Sequence, residues 1–253
     1  MNVQSGRIYR RARKDEHGHA RHGGSLVKDP FAEPADTREE ILEAAFHALC
    51  RHGYADLTIQ RIGETFEKSP TLVYHHYDGK DELLVDLLAF LLDGFEESVS
   101  TGSFDLPPRE RIVAYVLAMS DPGGVDHADA PDARFLRAVV ELRAQAANDE
   151  AYRDHFDRSD RVFDRFLERS VREAAAEVRS AEDVRTDDEG VPADDGPDAA
   201  GTIAPAEVVA VIGTLAVGGT FRRVTTNDRE WVDGVTAGVG RYLDVTLPNV
   251  ALE

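Results

Sequence analysis

The residues best suited to chemistry lie between Thr58 and Lys80, and what they offer is recognition of nucleic acid. Ser69 followed by Pro70 reads as the cap and first-turn proline of a short helix. Ser69, Pro70, Thr71 and Leu72 then stand at its N-terminal end, where the second helix of a helix-turn-helix meets base edges in the major groove. Thr71 can hydrogen-bond a base edge, and its methyl and Leu72 can touch a thymine methyl. Val73 and Tyr77, four residues apart, face the core, which leaves Tyr74 and His75 off that stripe and within reach of phosphate or base. Thr58 caps the preceding helix. With Arg61 on that helix it is a candidate backbone contact, although Arg61 could equally be solvated. Lys80 opens the next helix, where the macrodipole disfavours a cation by about 0.3–1 kcal/mol. A DNA phosphate there would meet both the ammonium and the free amides of the helix end; otherwise Asp81 and Glu82 neutralise that end and Lys80 sits in solvent.

No constellation for catalysis accompanies these residues. A Gly-rich phosphate loop, a nucleophile elbow and a His-Glu-x-x-His metal pair are all lacking. A di-metal helix bundle needs two inward Glu-x-x-His motifs, and the one match, Glu16 with His19, lies in a stretch without apolar periodicity. His17, His19 and His22 have no thiolate or carboxylate framework that would make a metal site of them. Paired carboxylates are not diagnostic in so acidic a chain. The single cysteine, Cys50, lies among apolar residues and reads as a small buried hydrophobe. No enzyme, cofactor or metal is expected. An all-helical protein-interaction module without DNA binding is the alternative.

The elements that must position these residues are helical almost without a break from Thr37 onward. Thr37 with Glu40 suggests a capping box, and Ile41, Leu42, Ala45, Phe46 and Leu49 recur on one face until Gly53 ends the helix. Ile59, Ile62 and Phe66 turn inward on a short second helix, and the third begins at Pro70. A fourth starts near Asp81 with Leu83, Leu84, Leu87, Leu88, Leu91 and Phe95 on its core face. After Pro107-Pro108 come helical segments at roughly 109–119, 131–147 and 150–179, then 205–225 and 229–245, which together suggest a bundle. The fold class is all-α: a three-helix head over residues 36–80, then a helical bundle domain over 81–247. Residues 1–35 read as a disordered basic arm that either follows DNA or is merely solvated. Residues 180–204, with eight carboxylates against one arginine, read as a disordered acidic loop, and 248–253 as a tail.

The net charge of −19 is unusual for a nucleic-acid binder, but it is unevenly spread. Residues 1–80 hold 12 Lys+Arg and 12 Asp+Glu, so the other 17 against 36 carry the whole imbalance. No stretch approaches the roughly 18 unbroken apolar residues of a membrane span, and the N-terminus lacks the apolar core of a signal peptide. A cytoplasmic protein is expected.

From Ile41 to Leu84 the chain reads ILEAAFHALCRHGYADLTIQRIGETFEKSPTLVYHHYDGKDELL. It resembles the DNA-binding domain of the tetracycline-repressor (TetR) family throughout. An apolar first helix ends in the Gly-aromatic pair Gly53-Tyr54, Thr58-Ile59 opens the second, and Tyr74-His75-His76-Tyr77-Asp78-Gly79-Lys80 matches the Tyr-x-His-Phe-x-x-Lys stretch closing the recognition helix. Phe66 and Glu67 stand where the family usually has a small residue and a glycine, and Lys68 replaces a common aliphatic. The resemblance implies a regulator, most commonly a repressor, that binds palindromic double-stranded DNA as a homodimer through its last two helices. It also implies an unknown small-molecule effector, for which Phe90, Tyr115, Met119, Phe135, Phe163 and Phe166 are candidate lining residues. Only four lysines beside 25 arginines, and 27 aspartates against 21 glutamates, make the chain similar to proteins of salt-loving archaea; drift in a GC-rich genome produces the same bias.

Overall fold

The computed structural model describes residue 31 and residues 34–66, 70–100, 106–121, 133–189 and 201–252. Its elements in chain order are α1 (Thr37–Asp56), α2 (Ile59–Thr65), α3 (Pro70–His76), α4 (Lys80–Ser100), α5 (Pro108–Ser120), α6 (Ala133–Gln145), α7 (Glu150–Glu189), α8 (Pro205–Thr225) and α9 (Trp231–Thr246), closed by a 3-10 turn, Leu247–Asn249. The fold is all-α; among the described residues the one β contact is an isolated parallel bridge between Ile203 and Val250.

Local chemistry explains the helix ends. The cap of α1 is Asp36, one residue earlier than the Thr37/Glu40 box. Its carboxylate accepts from Glu39 N at 2.9 Å, while Glu39 Oε2 accepts from Ala35 N at 2.7 Å, so two orphan amides are satisfied reciprocally. Thr58 caps α2 as its position requires, its hydroxyl accepting from Arg61 N at 3.2 Å. Gly53 breaks α1 with φ 72° and ψ 168°, a region essentially restricted to glycine.

Two hydrophobic cores stack along the molecule. The first joins α1, α2, α3 and α4, and it does not stop at residue 80: Ala138 and Leu142 of α6 and Tyr152 and Phe156 of α7 complete it. Leu83, Leu84 and Leu87 have no exposed surface there, and truncating one to alanine would cost about 2–5 kcal/mol. The second core is made by α5, α7, α8 and α9, with Ile112, Val116, Leu167, Val171, Val208, Ile212, Val239 and Leu243 at its centre. Helix α6 packs on both α1 and α8, so it touches the head and the far end of the bundle.

Three expectations need correction. The segment 180–204 is not loop throughout: α7 continues to Glu189, and Ile203 exchanges backbone hydrogen bonds with Asn249 O (2.8 Å) and Ala251 N (2.9 Å). The tail at 248–253 is anchored by the same contacts, with Val250 fully buried. The arm boundary at 35 is also too late, because Phe31 is buried and stacks 5.3 Å from Phe90 and 5.5 Å from Phe46. The rest of the arm, including its basic cluster and histidines, lies outside the described residues. Helix α8 alone among the described helices has the length and mean hydropathy (1.3) of a membrane span, and a third of that window is buried in the bundle.

Candidate nucleic-acid interface

Helix α3 presents the surface that its sequence spacing implied. Val73 and Tyr77 are buried, whereas Thr71, Tyr74, His75 and His76 are exposed, Tyr74 by 61%. Leu72 is half-buried against the first core, so less of it faces outward than the spacing suggested. Pro70 begins the helix, and Ser69, Lys68 and Glu67 lie outside the described residues. Phe66 has ordinary extended backbone (φ −82°, ψ 119°) and a buried side chain, so it imposes no positive φ of its own on the turn.

Helix α3 is pinned from behind. Tyr77 donates its hydroxyl to Asp86 Oδ2 at 2.6 Å, and Arg38 at the start of α1 forks onto the same carboxylate, with Nε to Oδ2 at 2.8 Å. Burial works against the charge on Asp86, but hydrogen bonds from Arg38 and Tyr77 outweigh it and hold the carboxyl below its ordinary range. Burial, together with the hydrogen bond to Asp86, pushes the Tyr77 phenol well above its usual value, so it remains a donor. This network fixes α1, α3 and α4 to one another, and Tyr77 is a structural residue.

The two polar candidates on and before α2 have local partners. The Thr58 hydroxyl serves as the cap, and Arg61 Nη1 donates back to Asp56 O at the end of α1. Lys80 is likewise engaged: Nζ donates to Tyr54 O at 3.1 Å and stands 4.1 Å from the centre of the Tyr54 ring. The helix dipole argument for Lys80 therefore has a structural answer, since the cation caps the carboxyl end of α1. One of its three donors serves that bond.

Around Lys80 lies a polar knot that no local spacing reveals. Asp81 Oδ1 accepts from both Tyr54 (2.9 Å) and Tyr152 (3.0 Å) hydroxyls. Burial and the Asp81 hydrogen bond push the Tyr54 phenol up to about 12. Glu141 Oε2 on α6 accepts from Tyr54 N at 2.6 Å. Gly53 makes room for that carboxylate, since a Cβ there would come within 3.0 Å of Glu141 Oε2. The Gly53-Tyr54 pair was visible as a motif; Glu141, 87 residues away from Tyr54, was not.

The effector candidates separate into two groups. Phe90 and Phe135 belong with the head, through the Phe31–Phe90 stack and a 5.4 Å Phe46–Phe135 contact. Tyr115, Phe163 and Phe166 do gather, with Phe95 from α4 as a further member: Phe95–Phe163 is 4.7 Å and Tyr115–Phe163 is 5.7 Å between ring centres. Met119 is half-buried on α5, its carbonyl accepting from Thr220 Oγ1 at 3.1 Å. Burial pushes the Tyr115 phenol well above its usual value.

Residues 41–87 match the family model for bacterial regulatory proteins of the tetR family. The HTH-type transcriptional regulator BetI of Brucella anthropi is 32% identical over 81 residues, 31% of this chain and 41% of that protein. The HTH-type transcriptional repressor AcnR of Corynebacterium efficiens is 37% identical over 54 residues, 21% of this chain and 29% of that protein. The match thus spans less than half the length of these relatives. A crystal structure of a TetR transcription regulator from Haloarcula marismortui is 28% identical with a TM-score of 0.58, covering 83% of this chain and 97% of that one. A transcriptional regulator from Saccharomonospora viridis, solved in complex with choline, shares the fold at 18% identity and a TM-score of 0.56, over 82% and 95% of the two chains. These relatives are regulators of transcription, not enzymes.

Proposed function

With residues 41–87 as a DNA-binding head of the TetR type, we propose that this chain is a transcriptional repressor that binds a palindromic operator as a homodimer and is released by a small molecule. The observation that carries the reading is helix α3, which exposes Thr71, Tyr74 and His75 while Val73 and Tyr77 lock it to the head. Repression is supported by the AcnR relative's description, and an effector by the choline complex of the Saccharomonospora protein. Helices α8 and α9 form the dimer face. A halophilic host is supported by the acidic composition and the likeness to the Haloarcula regulator.

Fluorescence anisotropy with the DNA upstream of the protein's own gene tests the core of this reading. Saturable binding with a clear preference over random DNA is expected. Because residues 1–80 balance 12 Lys+Arg against 12 Asp+Glu and so offer few phosphate contacts, the salt slope should be shallow and binding should survive molar potassium chloride. Absence of binding at every salt concentration would favour a protein-interaction bundle, and complete loss of specific binding between about 0.2 and 1 M salt would remove the halophilic part alone.

Lys80 holds a DNA phosphate with the donors that Tyr54 leaves over. Lys80→Ala should weaken operator and random DNA alike and make the salt slope shallower by about one contact, whereas Thr71→Ala should mainly erode discrimination. A folded Lys80→Ala protein with a lower melting temperature and an unchanged salt slope would make Lys80 a strut between α1 and α4 only.

A further inference from the structure

Four aromatic rings from four parts of the chain meet where the head joins the bundle. Phe31, ahead of α1, is 8% exposed, and its ring centre lies 5.3 Å from that of Phe90 on α4 and 5.5 Å from that of Phe46 on α1. Phe46 carries the series on to α6 through Phe135, at 5.4 Å. Phe31 alone of the four belongs to no helix. Phe46 and Phe90 are only partly buried even with Phe31 in place, so taking its ring away would open them to water.

The same seam between α1 and α6 has a second attachment, where Glu141 Oε2 accepts from Tyr54 N at 2.6 Å beside Gly53. The hydrogen bond from Tyr152 to Asp81, at 3.0 Å, ties α7 to α4 at that end of the seam. On α6 the two attachments, Phe135 and Glu141, are about 9 Å apart along the helix axis. Between them Ala138 and Leu142 pack into the first core. Apolar burial is non-directional: it opposes separation of α1 from α6 but sets no angle between them, whereas attachments at two points do. Arg38 and Asp86 tie the start of α1 to α4 and do not reach α6. Without the aromatic attachment, the head could swing about the Glu141 point while Ala138 and Leu142 stayed covered.

We propose that Phe31 is a positioning residue for operator binding: a wedge that backs Phe46 against Phe135 and, with the Tyr54–Glu141 bond, fixes the angle of the DNA-reading head on the bundle. The inference rests on the repressor reading above and adds the residue that aims the head. Aim matters because a dimer engages both halves of a palindrome only when its two heads stand at the spacing of the half-sites. A single head on random DNA has no such requirement.

Full-length Phe31→Leu and Phe31→Ala are compared with the unchanged chain by anisotropy on operator and random DNA, at a temperature where melting curves show each to be folded. Operator affinity should fall about threefold for leucine and about tenfold for alanine, with random-DNA affinity and the salt slope unchanged. Hydrogen exchange on the free protein should quicken in α6 around Phe135 and stay as it was in the second core around Leu167. A lowered melting temperature with operator preference intact would make Phe31 ordinary packing and overturns the proposal. So does an equal loss on operator and random DNA with a shallower salt slope, which would mean that Phe31 serves to present Arg7, Arg10 and Arg11 to phosphate. If Phe31→Ala does not fold, Phe31→Leu decides alone, and full operator preference in it overturns the wedge. If the unchanged chain binds no DNA, the repressor reading fails by itself and exchange in α6 judges the wedge: quickened, Phe31 fixes the head whatever the head binds; unaltered, the wedge falls too.

Discussion

Replacing Leu215 and Phe221 together by glutamate is expected to turn a dimer into a monomer and to lower operator affinity by about 10²–10⁴-fold, the range that joining two binding modules provides. Helix α8 buries Val208, Val209 and Ile212 in the second core, buries Ala216 as well, and turns Val211, Leu215, Val217 and Phe221 outward, 38 to 58% exposed. On α9, Val245 is likewise 73% exposed. Contiguous exposed apolar surface of this kind marks an association site. Gly218 on α8 and Gly234 and Gly238 on α9 meet nothing within 4 Å of where a Cβ would stand, so each leaves room for a second copy to approach its helix. Gly219 has a different task, since a Cβ there would fall 2.2 Å from Ser120 Oγ and prevent α5 from packing on α8. Light scattering reads the mass and anisotropy the affinity. A variant that stays dimeric with full affinity would remove α8 from the interface. Deleting α8 and α9 would be a poor substitute, because Val208, Ile212, Val239 and Leu243 build the monomer's own core.

The sequence is legible where a residue's role depends on its neighbours within a turn or two. Helix α8 has the ends read for it, Pro205 and Thr225, because a first-turn proline and a continuous apolar run define them. The inward face of α3 follows from the four-residue step between Val73 and Tyr77. Legibility fails where partners come from far along the chain. Asp86 looks like any solvated carboxylate on α4 until Arg38 and Tyr77 converge on it. Phe90 and Phe135 have the right residue type for a ligand cavity, but their helices deliver them to the head instead. The extension of α7 past residue 180 was invisible for another reason: residues 182–189 carry no apolar face, so periodicity gives no signal there even though the helix continues.

The junction of Gly53 with Glu141 yields the second large effect. At φ 72° and ψ 168°, any side chain at position 53 costs about 1–3 kcal/mol in backbone strain, and an alanine Cβ would also press on Glu141 Oε2 at 3.0 Å. Glu141 cannot withdraw freely, because its carboxylate accepts from Tyr54 N at 2.6 Å and from Arg137 Nε at 3.1 Å. Removing it strands the Tyr54 amide at a cost of about 1–3 kcal/mol if that amide stays dry. Gly53→Ala should therefore lower the melting temperature by roughly 2–4 °C for each kcal/mol lost in a chain of this length. In a Glu141→Ala background the same substitution should cost less, since only the backbone term remains. The difference between the two is the coupling energy of the junction, on the order of 0.5–3 kcal/mol for groups in contact. Because α6 packs on α8 as well as on α1, operator affinity should fall with Glu141→Ala even at temperatures where the protein stays folded. Equal losses from Gly53→Ala in both backgrounds would show that the glycine serves only the backbone turn and that Glu141 is not coupled to it.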